Sequence, residues 1–130
     1  MAYYSKIKNV DQIIENISNL KNPKGRFDLI NFKTNKIIVD YAHTPESISQ
    51  VIKYVNPYFS KVVVLFGAGG NRDKEKRKLM GTASQLADSV IVTNDNPRNE
   101  DPIQISNDIL KGCDLSKTTV ILDRKEAITS

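Results

Sequence analysis

The sequence predicts an α/β fold with a mostly parallel, doubly wound sheet. Short β-branched apolar runs alternate along the chain with segments whose apolar residues recur at helical spacing. The run from Val62 to Phe66 is apolar throughout, which is typical of a strand covered on both faces. Because strands that alternate with helices are joined by crossovers, this order of elements favours a parallel sheet.

The amino-terminal part is predicted to hold a helix, a linker and a hairpin. Val10 to Leu20 has helical spacing, and Lys21 to Gly25 contains the proline and glycine that end such a helix. The strand-like runs Phe27–Phe32 and Ile37–Val39 flank a polar turn at Thr34–Lys36. So short a connection predicts an antiparallel hairpin. We place residues 1–24 as helix and linker, and residues 25–130 as the main domain.

The rest of the chain repeats one unit, a strand followed by a helix. Each apolar run leads through polar residues into a segment of helical spacing. The predicted pairs are Ile37–Asp40 with Pro45–Val55, Val62–Phe66 with Lys74–Leu86, Val90–Thr93 with Pro102–Leu110, and Val120–Leu122 with a helix that has just begun at Ser130.

The predicted helix ends carry suitable capping residues. Thr44 and Asp101 each precede a proline, which places a capping side chain before a residue favoured at the first helical position. Gln104 lies three residues after Asp101, so a capping box is predicted there. Gly112 is predicted to end the helix that begins at Pro102.

Composition excludes several classes of protein. The 130 residues are 39% apolar and 26% charged, which is typical of a globular domain. No apolar run approaches the ~20 residues of a membrane helix, and Met1 to Lys8 lacks the apolar core of a secretory signal. The single cysteine, Cys113, fits a reducing compartment and excludes a cysteine-rich zinc site. We therefore expect a cytoplasmic protein without a membrane partner.

The net charge of +4 does not by itself indicate a nucleic-acid partner. Basic residues cluster at Lys74, Lys76, Arg77 and Lys78, but no aromatic platform or known nucleic-acid motif accompanies them. We interpret the cluster as a solvated helix face, with a site for small anions as the alternative.

Ligands of doubly wound, Rossmann-like sheets bind beyond the carboxyl ends of the strands. Four segments should therefore meet at one edge of the sheet. They are Asp40–Thr44, Gly67–Asp73, Asn94–Arg98 and Asp123–Lys125.

The glycine-rich turn Gly67–Gly70 could bring backbone close to a ligand and leave N–H groups free for an anion. It is neither a dinucleotide fingerprint nor a P-loop, because Arg72 stands where a third glycine would be and no G-x-x-x-x-G-K-[ST] occurs. Arg72 suits forked contacts to a carboxylate or phosphate. A purely structural turn is the alternative.

The turn Asp95-Asn96-Pro97-Arg98 combines groups that could bind an amino acid. Arg98 offers a planar fork for a carboxylate, Asp95 or Asn96 could bind an ammonium or an amide, and Pro97 stiffens the turn. An exposed charged turn without a ligand is the alternative. His43, the only histidine, has no cluster of metal-ligating residues beside it, so we predict no metal site built by this chain.

These segments together resemble one family, the MurE-type Mur ligases, in their carboxy-terminal domain. The resemblance rests on Asp40-Tyr41-Ala42-His43-Thr44-Pro45, Phe66-Gly67-Ala68-Gly69-Gly70-Asn71-Arg72-Asp73-Lys74, Thr93-Asn94-Asp95-Asn96-Pro97-Arg98 and Glu100-Asp101-Pro102, with Gly25-Arg26-Phe27 before them and Asp123-Arg124 and Ala127-Ile128 after. The motifs occur in the family's order and spacing from about residue 10 onward.

The resemblance implies an ATP-dependent amide-bond ligase of peptidoglycan synthesis that adds meso-diaminopimelate to UDP-MurNAc-L-Ala-D-Glu. ATP would phosphorylate the glutamate γ-carboxylate, and the incoming amine would attack the acyl phosphate. Arg72 and the Asp95-Asn96-Pro97-Arg98 turn would hold the diamino acid, with Arg98 on its distal carboxylate. Arg26, Asp40 and His43 would lie near the nucleotide.

The sequence also departs from the complete family pattern. It lacks the phosphate-binding loop, modified lysine and magnesium ligands of the central domain, the first domain, and the family's final Gly-Lys-Gly-His-Glu stretch with the last helix and strand. Asn71 stands where an aspartate is frequent. We expect no catalytic residue and no ligase activity in this chain alone, ATP and Mg2+ only in a complete enzyme, and at best weak binding of diaminopimelate.

Two alternatives remain open from the sequence. One is the carboxy-terminal domain of another Mur-type or folylpolyglutamate-type ligase, in which we would not expect Asp95-Asn96-Pro97-Arg98. The other is a non-catalytic binding module of flavodoxin-like architecture, with the glycine turn on a phosphate.

Overall fold

The computed structural model describes residues 23–130. The chain divides into two compact units, one ending at Tyr41 and the other running from Ala42 to Ser130. The helix predicted at Val10–Leu20 lies outside the described residues, and the boundary predicted at residue 24 stays a prediction.

The first unit contains the predicted antiparallel hairpin. Strand β1 (Asp28–Phe32) pairs with strand β2 (Asn35–Val39), with Asp28 opposite Val39 and Phe32 opposite Asn35. The turn is shorter than predicted and lies at residues 33–34, where Lys33 has a φ of 53°. A two-residue hairpin turn that follows the twist of its strands requires such positive φ values, which explains the shift.

The second unit contains a parallel sheet of three strands. These are β3 (Val63–Phe66), β4 (Ser89–Val92) and β5 (Thr118–Val120), in the order β3-β4-β5. Phe66 lies opposite Val92, and Val92 lies opposite Val120. The predicted α/β class and parallel pairing are thus confirmed. The placing of Ile37–Asp40 at the start of the parallel series is wrong, because β2 pairs with β1 in the separate two-stranded sheet.

The helices follow the predicted positions closely. Helix α1 (Pro45–Val55) and helix α3 (Pro102–Leu110) have the predicted bounds, and a 3-10 turn at Asn56–Tyr58 follows α1. Helix α2 (Glu75–Ser84) is slightly shorter than predicted, and α4 (Arg124–Thr129) follows β5. No helix within residues 23–130 is long and apolar enough to cross a membrane.

The helix caps confirm three predictions and correct one. Thr44 caps α1 and forms a capping box with Ser47. Asp101 caps α3 by accepting from the Ile103 N–H at 2.9 Å, but the predicted box with Gln104 is wrong, because the Gln104 amide donates to Asp108 instead. Gly112 directly follows the C-cap residue Lys111, so α3 ends where this glycine predicted, although without a left-handed turn. A Cβ there would collide with the backbone of α2 at Lys78, so this glycine permits close helix packing.

The core of the second unit lies between the parallel sheet and helices α1 to α3. Each of these elements contributes side chains that are at least nine-tenths buried, and α1 packs on α2 as α2 packs on α3. Burial of this apolar surface contributes most of the free energy that holds the strand ends in place. The core residues are Ile48, Ile52, Phe66, Ala68, Met80, Ala87, Val90, Val92, Ile105 and Ile109.

Candidate functional site

Three turns meet at the carboxyl edge of the parallel sheet. The turn after β3 joins the turn after β4 through the Gly70 N–H, which donates to the Asn96 carbonyl at 2.8 Å. The turn after β4 joins the segment after β5 through Arg124, whose guanidinium donates to the Asn94 carbonyl at 3.2 Å. Three of the four segments predicted to converge therefore do so. The fourth segment, Asp40–Thr44, begins after β2 of the two-stranded sheet, and its convergence with the other three stays a prediction.

The glycines of the first turn allow these loops to pack against each other. A Cβ at Gly67 would overlap the Thr93 carbonyl, and one at Gly70 would overlap the Pro97 carbonyl. The N–H groups of Gly70 and Asn71 are occupied by Asn96 and Glu100. The expectation that the turn Gly67–Gly70 offers free N–H groups to an anion is wrong at Gly70, because the Asn96 carbonyl of the neighbouring loop accepts from it.

Arg72 and Arg98 converge on Gly69 from the two turns. A Cβ built on Gly69 would lie 3.0 Å from Nη1 of Arg98 and 3.8 Å from Cγ of Arg72. Arg98 has a φ of 51° and donates from Nη1 to the Gly70 carbonyl, which ties its side chain to the other turn. Arg72 is exposed and makes no hydrogen bond or ion pair with any residue of the range 23–130. The Arg98 guanidinium and the start of the Arg72 side chain thus lie against the same glycine at the rim of the sheet.

The remaining residues of the second turn differ in what they offer a ligand. Asp95 is exposed, and its carboxylate contacts no donor among the described residues. Asn96 uses its backbone carbonyl for Gly70 and its side-chain oxygen for the Arg98 N–H, at 3.3 Å. The Pro97 carbonyl accepts from the Glu100 N–H at 3.0 Å. Asn96 and Pro97 therefore shape the turn, while the Asp95 side chain is exposed to solvent.

A buried ion-pair network lies behind the two turns. The Arg77 side chain on α2 is only 1% exposed and forms a fork with Glu100, with Nη1 and Nη2 at 2.9 and 3.0 Å from the two carboxylate oxygens. Nη1 also contacts Asp108 of α3 at 3.1 Å. The interpretation of residues 74–78 as a wholly solvated basic face is wrong at Arg77, because its partners come from distant segments.

Glu100 links this network to the first turn. Its Oε1 accepts from the Asn71 N–H at 2.5 Å, and its Oε2 lies 3.5 Å from the Lys74 ammonium. The hydrogen bond from Arg77, followed by the one from Asn71, lowers the pKa of Glu100 from 4.5 to about 2. Glu100 is therefore a carboxylate throughout the physiological range.

The partners of Arg77 are held as ions as well. A hydrogen bond from Lys111 and then one from Arg77 lower the pKa of Asp108, against the opposing effect of burial. The contact with Glu100 raises the pKa of Arg77. The Arg77 Nε is buried with no hydrogen-bond partner among the described residues. Sequence reasoning missed this cluster because Glu100 and Asp108 lie 23 and 31 residues from Arg77 along the chain.

Arg26 and Asp40 lie together in the first unit. The Arg26 guanidinium stacks over the Tyr41 ring at 4.5 Å from its centroid. Asp40 accepts from the Phe27 N–H at 2.8 Å and so holds the backbone of a residue whose φ is 50°. These contacts fix the start and end of the hairpin around the predicted nucleotide-proximal residues.

His43 is exposed in the second unit, immediately before the Thr44 cap of α1. Within residues 23–130 no group of three or more His, Cys, Asp or Glu side chains is placed to hold a metal ion.

A parallel sheet whose carboxyl edge carries two arginine-bearing turns defines an α/β domain with a candidate ligand site at that edge. The sequence profile described as "Mur ligase, glutamate ligase domain" matches residues 25–130, which is most of the chain. The chain therefore belongs to the Mur ligase family, as a glutamate ligase domain.

Two similar proteins are 2,6-diaminopimelate ligases. The chain is 47% identical over 130 residues to the UDP-N-acetylmuramoyl-L-alanyl-D-glutamate--2,6-diaminopimelate ligase of Rickettsia prowazekii, covering 97% of this chain and 26% of that protein. A solved structure of a ligase with the same name is 39% identical with a TM-score of 0.75, over 92% of this chain and 26% of that one.

A folylpolyglutamate synthase structure from Thermotoga maritima is more distant. It is 27% identical with a TM-score of 0.68, over 94% of this chain and 28% of that one. The chain spans about a quarter of the length of the curated relatives it matches, at 25% of the first of them.

Proposed function

We propose that this chain is the amino-acid-binding domain of an ATP-dependent ligase that adds meso-diaminopimelate to UDP-MurNAc-L-Ala-D-Glu in peptidoglycan synthesis. The observation that carries the proposal is the convergence of Arg72 and Arg98 on Gly69. The similarity of this chain to 2,6-diaminopimelate ligases of Rickettsia supports the same substrate.

The chemistry of the two turns suits a diamino diacid. Diaminopimelate carries one carboxylate more than lysine, and a guanidinium binds a carboxylate through paired charge-assisted hydrogen bonds. Arg98 would bind the distal carboxylate, because its bond to the Gly70 carbonyl fixes the direction of the fork. The exposed Asp95 carboxylate lies on the same turn, where it would attract an ammonium group. Arg72 would bind the ligand from the other side.

The proposed reaction is amide-bond formation through an acyl phosphate. ATP would transfer its γ-phosphate to the glutamate γ-carboxylate of the nucleotide-linked dipeptide, releasing ADP. The amine held by this domain would then attack the acyl carbon, forming the amide bond and releasing inorganic phosphate. The residues of this chain bind and orient the amine, and none of them is assigned a catalytic role. In this proposal ATP and Mg2+ act in the complete enzyme. We place Arg26, Asp40 and His43 near the nucleotide in that enzyme.

The substrates proposed here are all small molecules, and the place of action is the bacterial cytoplasm. Neither a nucleic acid nor a membrane is part of the proposal. Because Arg72, Asp95 and Arg98 are exposed, water screens their contacts with a ligand. We therefore expect this chain alone to bind diaminopimelate only weakly, with a Kd in the millimolar range.

The proposal is tested by titrating the 15N-labelled chain with meso-diaminopimelate and with L-lysine. We expect tighter binding of meso-diaminopimelate, and we expect Arg98→Met to abolish the difference by removing the group that reads the distal carboxylate. Lys53→Met is the control, because it also removes one positive charge, from an exposed residue of α1. It should preserve the preference for meso-diaminopimelate over L-lysine. Equal binding of the two amino acids by the unmodified chain would contradict the proposal.

A folylpolyglutamate-type ligase is the second candidate, because one such structure shares 27% identity over 94% of this chain. That function predicts binding of L-glutamate in preference to meso-diaminopimelate in the same titration. A phosphate-binding module would instead respond to nucleotides alone, which a thermal-shift comparison detects.

A further inference from the structure

Glu100 connects the two turns that carry the site arginines. It lies two residues after Arg98 in the chain, yet its side chain reaches the other turn and accepts from the Asn71 N–H at 2.5 Å. Asn71 directly precedes Arg72. The Glu100 carboxylate therefore binds the backbone next to Arg72, while the Glu100 backbone lies two residues from Arg98.

Both arginine turns contain a residue in the left-handed region of backbone conformation. The φ of Asn71 is 52°, and the φ of Arg98 is 51°. Residues with side chains rarely adopt this conformation unless surrounding contacts hold them there. For Asn71 that contact comes from Glu100, and for Arg98 it comes from the Asn96 side chain and the Gly70 carbonyl.

The Glu100 carboxylate is itself held from behind. Arg77 contacts both of its oxygens, and Arg77 is fixed in turn by Asp108 on the neighbouring helix. Because Arg77 is only 1% exposed, the packing around α2 and α3 leaves the fork little freedom to move. The position of the Asn71 N–H is thereby tied to the helical layer.

We propose that Glu100 is a positioning residue that sets the spacing between Arg72 and Arg98. The inference rests on the proposed function for the identity of the ligand. Glu100 does not touch the ligand in this account. It acts through the Asn71 backbone, and the spacing it fixes favours an amino acid with two separated carboxylates over one with a single carboxylate.

Glu100→Gln is the first test, monitored by NMR of the 15N-labelled chain. A glutamine amide replaces one of the two acceptor oxygens of glutamate by an NH2 donor. Its single oxygen cannot accept from the Asn71 N–H and from both Arg77 nitrogens at once. We expect the Asn71 amide and the Arg72 Nε–H signals to shift, and the Kd for meso-diaminopimelate to rise about tenfold, within the range for residues coupled in one network. Binding of L-lysine should change little, so the preference is reduced.

Asp114→Asn is the matched control, because Asp114 is also a turn carboxylate that accepts from a backbone N–H, that of Ser116 at 2.9 Å. It should leave the Asn71 and Arg72 signals and the ligand preference unchanged. If it reproduces the effects of Glu100→Gln, the positioning role is excluded.

The double variant Arg77→Met with Glu100→Met separates positioning from folding. Replacing both ions of a buried pair by apolar groups tends to preserve stability, whereas removing one partner does not. The double variant should fold and still show a displaced Asn71 amide and reduced preference for meso-diaminopimelate. Unchanged signals, or displaced signals with an unchanged preference, would overturn the inference.

Failure of the proposed function gives a different result. If the unmodified chain binds neither amino acid selectively, the ligand assignment is wrong. The Arg72 and Arg98 Nε–H signals of the ligand-free variants then decide whether Glu100 sets their positions.

Discussion

Glu100 and Arg77 support the candidate site from behind rather than from within it. Glu100 accepts hydrogen bonds from two segments, while Arg77 is buried and contacts two carboxylates. Removing one member of such a network takes a partner from a buried charge, which costs more than the loss of an exposed ion pair. These two residues are therefore as important to the geometry as the exposed arginines.

The lowered pKa of Glu100 predicts how stability depends on pH. The pKa of Glu100 falls from 4.5 to about 2 on folding. The contribution of the ionised Glu100 carboxylate to the free energy of unfolding is therefore complete above pH 4.5 and is lost as pH falls toward 2. Urea denaturation of the unmodified chain and of Glu100→Gln between pH 7 and pH 2 measures it. The difference in unfolding free energy should be constant above pH 4.5 and shrink below it. A difference that persists unchanged to pH 2 would contradict the account.

The sequence placed the exposed site residues but missed those behind them. Arg72 and Arg98 could be placed because each follows an apolar strand, and ligands bind at the carboxyl ends of such strands. Arg77 looked solvated because its neighbours in the chain are charged. Its partners Glu100 and Asp108 lie 23 and 31 residues away, and no local pattern indicates contacts of that separation.

At the scale of elements, the glycine-rich turn after β3 is shaped by its neighbour. Gly70 and Gly69 are adjacent, but a side chain would meet different atoms at the two positions. At Gly70 it would collide with the Pro97 backbone, and at Gly69 its nearest contact would be the end of the Arg98 side chain, at 3.0 Å. Backbone cannot move aside as a flexible side chain can.

This contrast yields a matched pair of substitutions. Gly70→Ala should lower the unfolding free energy by about 1–3 kcal/mol, the usual cost of overpacking. Gly69→Ala should cost clearly less while displacing the Arg98 guanidinium and weakening ligand binding. Chemical denaturation measures the first effect, and the Arg98 Nε–H signal reports the second. Equal stability of the two variants would show that the loops do not pack as described.

The bounds of α1 and α3 could be predicted because local chemistry defines where they begin. Thr44 and Asp101 each cap a helix whose first residue is proline. The pairing of β2 with β1 was also predicted, from the short turn between them. The additional place given to β2 in the parallel series was wrong, because periodicity identifies a strand without identifying its sheet. The Asp101 side chain accepts from the Ile103 N–H. The predicted capping box with Gln104 does not form, because the Gln104 amide donates to the Asp108 carboxylate.

At the scale of the whole molecule, the second unit is a scaffold that brings strand ends together. Its buried core lies under α1 to α3, and the charged and polar turns lie at one edge. The order of strands, and hence the meeting of the turns, follows from crossover connections that the sequence pattern predicts. The spacing of Arg72 and Arg98 depends on loop packing and buried ions, which the pattern does not encode.

The central claim is that Arg72 and Arg98 bind one diaminopimelate between them. The most direct measurement is an NMR titration of the 15N-labelled chain with meso-diaminopimelate that follows both arginine Nε–H signals. We predict that both signals shift together and give the same Kd. Shifts at only one arginine, or at the groove lined by Lys74, Lys78 and Lys111 in place of these turns, would contradict the claim.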